Sequence, residues 1–170
     1  HGMVRFYVFD PLDSKTIYAN SLGLFKSIDA GNTWKLLYPA PNEINGLISR
    51  GDHADEIFFT RDSTIRQVLA LAVDPENSAK LFAAISVNKI SRFYESSDGG
   101  EHWKAGKELD SDIVKIFIDP MSPRENRTIY LAGRNGIEAK VNGKWEIQKI
   151  PKGVNKLTTF SGGYDKKQKK

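Results

Sequence analysis

The chain has 170 residues, 39% of them hydrophobic, and no Cys, which suits one domain with a real core and excludes a disulfide framework or thiolate metal ligands. Net charge is +4, from 25 basic and 21 acidic residues, and Lys166, Lys167, Lys169 and Lys170 carry the whole excess. A basic tail is not a basic stripe on a folded body, so no nucleic-acid partner is expected; no apolar run reaches the roughly 18 residues of a membrane span, and HGMVRFYVF does not read as a signal peptide.

In chain order, VRFYVF reads as a first strand that ends at Asp10-Pro11. TIYAN (Thr16 to Asn20) and GLFKS (from Gly23) read as the second and third, and a fourth opens at Trp34. The same order returns twice. VLALAV, Asp74-Pro75, KLFAAI and RFYESS lead to Trp103; IVKIFI, Asp119-Pro120, TIYLAG and GIEAKV lead to Trp145. β-branched and aromatic residues fill the runs, while Gly, Pro, Asn and Asp fill the gaps. The predicted unit is therefore four short antiparallel strands, repeated three times, at the length of a propeller blade. The expected boundaries are a blade over 4–38, an insertion over 39–67, blades over 68–109 and 113–150, and the start of a further blade over 154–170.

Between the third and fourth strands stands an octapeptide, SIDAGNTW (Ser27 to Trp34), which returns as SSDGGEHW (Ser96 to Trp103). Ser27 and Asp29, like Ser96 and Asp98, can accept bonds from nearby turn N–H groups. Gly31 and Gly100 sit where the chain needs a positive φ. Trp34 and Trp103 each offer a large ring to a core, and each indole N–H is expected to find a partner near the turn. Asp29 and Asp98 are read as turn caps, not as catalytic or metal-binding groups. The last repeat replaces the octapeptide with VNGKW (Val141 to Trp145), an Asn-Gly hairpin that keeps the Trp.

The octapeptide, with its upstream Asp-Pro, apolar-Tyr-Ala and Gly-Leu-Phe-x-Ser segments over Val8 to Trp34, resembles the Asp-box or bacterial neuraminidase repeat. The layout is similar to repeats of sortilin-type receptors, xyloglucanases, sialidases and a photosystem II assembly factor. The resemblance covers Val4 to Pro151 and implies an all-β fold, a β-propeller of about three four-stranded blades. Because such folds close with about 4–8 blades, an incomplete segment of a larger propeller is expected, completed by the remaining blades of a parent chain or by another copy. The resemblance also implies an extracellular or periplasmic setting. It brings no catalytic set: the chain has no Arg-Ile-Pro, and neither a sialidase Arg triad nor the catalytic Asp pair of a xyloglucanase can be matched to its residues.

Antiparallel order puts the Asp-Pro turns and the octapeptides on one face of the blades. The other face carries Asn20 to Leu22, Ser86 to Ser91, Gly133 to Gly136, and the long insertion from Pro39 to Gln67. A binding site is expected on that second face. Its candidate ligand-binding residues are Arg50, Asp52, His53, Asp55, Glu56, Arg61, Arg66 and Arg134; Arg suits an anionic or polyhydroxyl partner. The competing reading is that IFFT (Ile57 to Thr60) is a strand that packs the insertion down, its charges simply solvated. Asp52, His53, Asp55 and Glu56 are neighbours in sequence with no second His nearby, so no metal and no cofactor are expected. No G-x-S-x-G elbow is present. The functional expectation is a non-catalytic binding or scaffold module for a protein or carbohydrate; the alternative is a fragment of an extracellular glycoside hydrolase.

Overall fold

The computed structural model describes residues 3–50, 55–110 and 113–148. Asp52 and His53 lie outside these. Three four-stranded antiparallel sheets form, each with its strands in chain order. Blade 1 is β1 (Phe6–Phe9), β2 (Ile17–Asn20), β3 (Leu24–Ser27) and β4 (Lys35–Tyr38). Blade 2 is β7 (Arg66–Asp74), β8 (Asn77–Val87), β9 (Ile90–Ser96) and β10 (Lys104–Glu108). Blade 3 is β11 (Ile113–Ile118), β12 (Ile129–Gly133), β13 (Gly136–Val141) and β14 (Lys144–Gln148). Between blades 1 and 2 the insertion forms its own hairpin, β5 (Ile44–Arg50) with β6 (Asp55–Thr60).

The packing follows from a period of two. On β8, Leu81, Ala83 and Ile85 join Tyr18, Leu24, Leu37 and Tyr38 of blade 1 in one cluster. The alternate residues Phe82 and Ala84 join Phe93 and the blade 3 residues Ile116, Ile118, Ile129 and Leu131 in another. Blade 2 is thus buried on both faces, which explains why LFAAI, Leu81 to Ile85, is an unbroken apolar run. The first strands of all three blades wall one groove, lined by Tyr7, Phe9, Leu71, Val73, Ile116 and Ile118 among others. Each first strand is therefore innermost and each fourth strand outermost.

The two octapeptides close in the same way. Ser27 Oγ donates to Asp29 Oδ1 at 2.7 Å and accepts from Gly31 N at 2.8 Å. Asp29 then accepts from Thr33 N at 2.8 Å and from Thr33 Oγ1 at 2.6 Å. In the second copy Ser96 bonds Asp98 at 2.8 Å, Gly100 N donates to Ser96 Oγ at 2.9 Å, and His102 N donates to Asp98 Oδ1 at 3.0 Å. Gly31 and Gly100 hold φ of 92° and 95°. A Cβ on Gly100 would also meet Leu37 Cδ1 at 2.8 Å, so the second turn needs glycine for packing as well as for backbone angle. The shortened third turn is a left-handed Asn142-Gly143 pair, φ 49° and 76°. Trp145 beyond it packs edge-on to Phe93, with ring centroids 5.1 Å apart.

One expectation fails. Trp34 Nε1 donates to Gly31 O at 3.0 Å, as the turn geometry predicts. Trp103 Nε1 is buried with no hydrogen-bond partner among the described residues. The second Trp packs against the core between blades 1 and 2, whereas Trp34 is 40% exposed on the outer flank of blade 1. The neighbouring blade pulls the second ring inward.

Candidate functional site

Outer strands of adjacent blades diverge, and between blades 1 and 2 they leave a cleft of about 570 Å³. Leu37 and Tyr38 of β4 form one wall; Tyr94 of β9 and Trp103 form the other. Asn42, Glu43 and Arg66 close one end, and Glu101 with His102 closes the other. The first end belongs to the insertion and the second to the octapeptide, so the cleft joins the two faces that the loops define.

Arg66 is the organiser of the insertion end. Its Nη1 bonds Glu43 Oε2 at 3.0 Å, its Nη2 bonds Asp62 Oδ2 at 2.6 Å, and its Nε donates to Thr64 Oγ1 at 3.0 Å. The guanidinium also lies 6.0 Å from the Tyr38 ring centroid. Burial opposes its charge, but the bond to Asp62 and the nearby Tyr38 and Glu43 outweigh it and push its pKa up. The Thr60 hydroxyl, then Thr64 and Arg66, hold the Asp62 carboxyl well below its ordinary range. Burial pushes the Tyr38 hydroxyl up to about 12, so it stays a neutral hydroxyl.

Thr60 to Thr64 repeats the logic of the octapeptide in miniature. Thr60 Oγ1 donates to Asp62 Oδ1, and Thr64 N reaches the same oxygen at 3.3 Å. The Thr-x-Asp spacing was the signal that could have revealed this turn. It supplies the anchor from which Arg66 enters β7.

The sequence candidates are scattered. Arg66 lies in the cleft, tied to Glu43 and Asp62. Arg61 is exposed after β6, its N–H donating to Glu43 O at 2.8 Å. Arg50 and Asp55 face each other in register across the hairpin, with Glu56 next to Asp55. Arg134 is exposed in the turn between β12 and β13, far along the chain from the insertion. Arg92 on β9 bonds Glu108 of β10 at 3.1 Å. Tyr38, Tyr94, Trp103 and Glu101 were not singled out for binding, because they come from strands and turns of two different blades. Among the described residues no three His, Asp or Glu side chains gather into a metal-binding group.

Among the described residues, the carboxylates whose pKa is displaced are displaced downward: Asp13, Asp29, Asp62, Asp74, Glu76 and Asp98. These groups accept bonds from loops and neighbouring side chains.

No family model matches the chain, and no curated protein matches it. Solved structures do. The crystal structure of a GH74 enzyme from Niastella koreensis aligns over 85% of the chain with 21% identity and a TM-score of 0.55. That of an ancestral GH74 enzyme aligns over 86% with 19% identity and a TM-score of 0.54. The chain spans 22% and 18% of those two proteins. At such identity the likeness is one of fold. With three successive sheets whose first strands converge, it establishes the chain as an all-β propeller segment.

Proposed function

We propose that the chain is a non-catalytic propeller segment of the Asp-box, sortilin-like type, and that it binds a glycan in the cleft between blades 1 and 2. The observation that carries this reading is the cleft itself. Tyr38, Tyr94 and Trp103 wall it with aromatic surface, while Asn42, Glu43, Arg66 and Glu101 line it with donors and acceptors. A sugar ring offers a C–H face to an aromatic ring and hydroxyls to carboxylates, amides and guanidinium groups. The likeness to GH74 enzymes supports a carbohydrate over a protein partner.

The test is titration of the chain with a panel of neutral oligosaccharides, followed by Trp fluorescence and calorimetry. Binding is expected for at least one member and is expected to weaken by about tenfold in Tyr94→Ala, the loss of one good contact. A flat titration across the panel would overturn the reading.

The second reading, a fragment of an extracellular glycoside hydrolase, rests on the same structural likeness. Asp52, Asp55 and Glu56 are its carboxylate candidates. It requires release of reducing ends from the panel, and loss of that release when these three are changed to their amides.

A further inference from the structure

The cleft between blades 1 and 2 carries charge at both ends. Glu43 and Arg66 line one end, Glu101 and His102 the other. Arg66 Nη1 holds Glu43 Oε2 at 3.0 Å while its Nη2 holds Asp62 Oδ2 at 2.6 Å, so two carboxylates share one guanidinium. Lys35 Nζ lies 2.7 and 2.8 Å from the two oxygens of Glu101. His102 Nδ1 lies 2.7 Å from Asp98 Oδ2. Four carboxylates thus meet Arg66, Lys35 and one imidazole, a negative balance whether or not the imidazole carries a proton. The chain as a whole carries +4, so the cleft has the opposite sign to the molecule around it.

The two ends hold their cations differently. Arg66 has 16% of its side chain exposed, bonds Thr64 as well as the two carboxylates, and lies 6.0 Å from the Tyr38 ring centroid. Lys35 has 65% of its side chain exposed and Glu101 45%. Among the described residues Lys35 Nζ has no partner besides Glu101. A surface ion pair of this kind adds little to stability, so another ammonium can take the place of Lys35 without loss to the fold.

Aromatic surface stands beside Glu101. Trp103 follows it by two residues, and Tyr94 of β9 lines the same wall of the cleft. An aromatic face attracts a cation as well as the C–H face of a sugar ring. Arg66 with Tyr38, Glu43 and Asp62 already builds that combination of cation, ring and carboxylate within the chain. At the octapeptide end the rings and the carboxylate are in place, and the cation on them is the exposed Lys35. An acidic sugar would instead meet the carboxylates of Glu43 and Glu101, while the Arg66 guanidinium is committed to Glu43, Asp62 and Thr64.

We propose that the ligand of this cleft is an oligosaccharide of amino sugars, one ammonium of which displaces Lys35 from Glu101 and lies against Trp103 and Tyr94. The proposal rests on the glycan reading of the cleft and names the class of glycan. Glu101 is then the residue that sets specificity: the aromatic walls take the sugar rings, and its carboxylate selects the charge they carry.

A glucosamine oligosaccharide and its fully N-acetylated counterpart share one backbone and differ in charge. Calorimetric titration of the full chain with each, at equal length and at a pH that keeps the amines protonated, measures the preference. The charged form is expected to bind about tenfold tighter, against the net charge of the chain. Glu101→Gln is expected to bring the two forms within about twofold of each other. Lys35→Met, which removes the competing ammonium, is expected to strengthen binding of the charged form about threefold. An oligouronate of the same length is expected to bind weakest. Circular dichroism checks that each variant folds. Equal binding of the two forms, with both weakened by Tyr94→Ala, overturns the amino-sugar proposal and leaves the glycan cleft standing. A preference that survives Glu101→Gln overturns it as well, and so does an oligouronate that binds as tightly as the charged form. If neither form binds and no neutral oligosaccharide binds, the glycan reading falls and the proposal falls with it.

Discussion

Arg127 and Asp74 form a two-pronged ion pair across the joint between blades 2 and 3, with 1% and 2% of their side chains exposed. Arg127 Nη2 also reaches Glu76 at 2.7 Å. Burial alone would raise the Asp74 pKa, but the Arg127 bonds, the Glu76 N–H and the Arg127 charge outweigh it and the net direction is down. Removing one partner leaves a buried charge with no counter-ion. Arg127→Met is expected to cost about 3–5 kcal/mol, read as a lower midpoint in denaturant. Combining it with Asp74→Leu is expected to recover part of that loss, because the apolar pair leaves no uncompensated charge.

Asp98 holds the second octapeptide turn through its bonds to Ser96 and His102. Asp98→Ala frees the His102 N–H and a Ser hydroxyl, at an expected cost of about 1–2 kcal/mol, as for loss of a helix cap. Thermal unfolding measures it. An unchanged melting temperature would show that the turn is held by its Gly backbone and not by the carboxylate.

Trp34 and Trp103 hold equivalent sequence positions but not equivalent energies. Trp103 packs against the core between blades 1 and 2, and Trp103→Ala is expected to cost about 3 kcal/mol. Trp34 is 40% exposed, so Trp34→Ala is expected to cost less than half as much. Urea unfolding of the two variants side by side tests the ranking, and equal losses would contradict it.

Acid should loosen the turns before it disturbs the core. The Thr33 hydroxyl, more than any other group, lowers Asp29 from 3.8 to about 2. The bond from Arg124, followed by that from Arg127, lowers Glu76 from 4.5 to about 2. Folded-state values lie below the unfolded ones, so the unfolded chain binds more protons across this interval. The stabilisation is complete above 4.5 and is lost as pH falls toward about 2. Melting temperatures recorded along that descent should fall steadily; a curve flat down to about 2 would mean these bonds contribute nothing.

The strand order, the three-fold repeat and the glycine-bearing turns were legible in the residues alone, because each depends on neighbours close in the chain. Alternation of side chains assigns a strand its two faces, and a Ser and an Asp two apart can close their own turn. What sequence could not decide was which surfaces meet. Tyr38, Tyr94 and Trp103 wall one cleft although tens of positions separate them, and Arg66 turns out to bind Glu43 and Asp62 within its own loop. The differing fates of Trp34 and Trp103 have the same origin. Identical local motifs were placed by blade packing, one on an open flank and one between two sheets, and burial belongs to that placement.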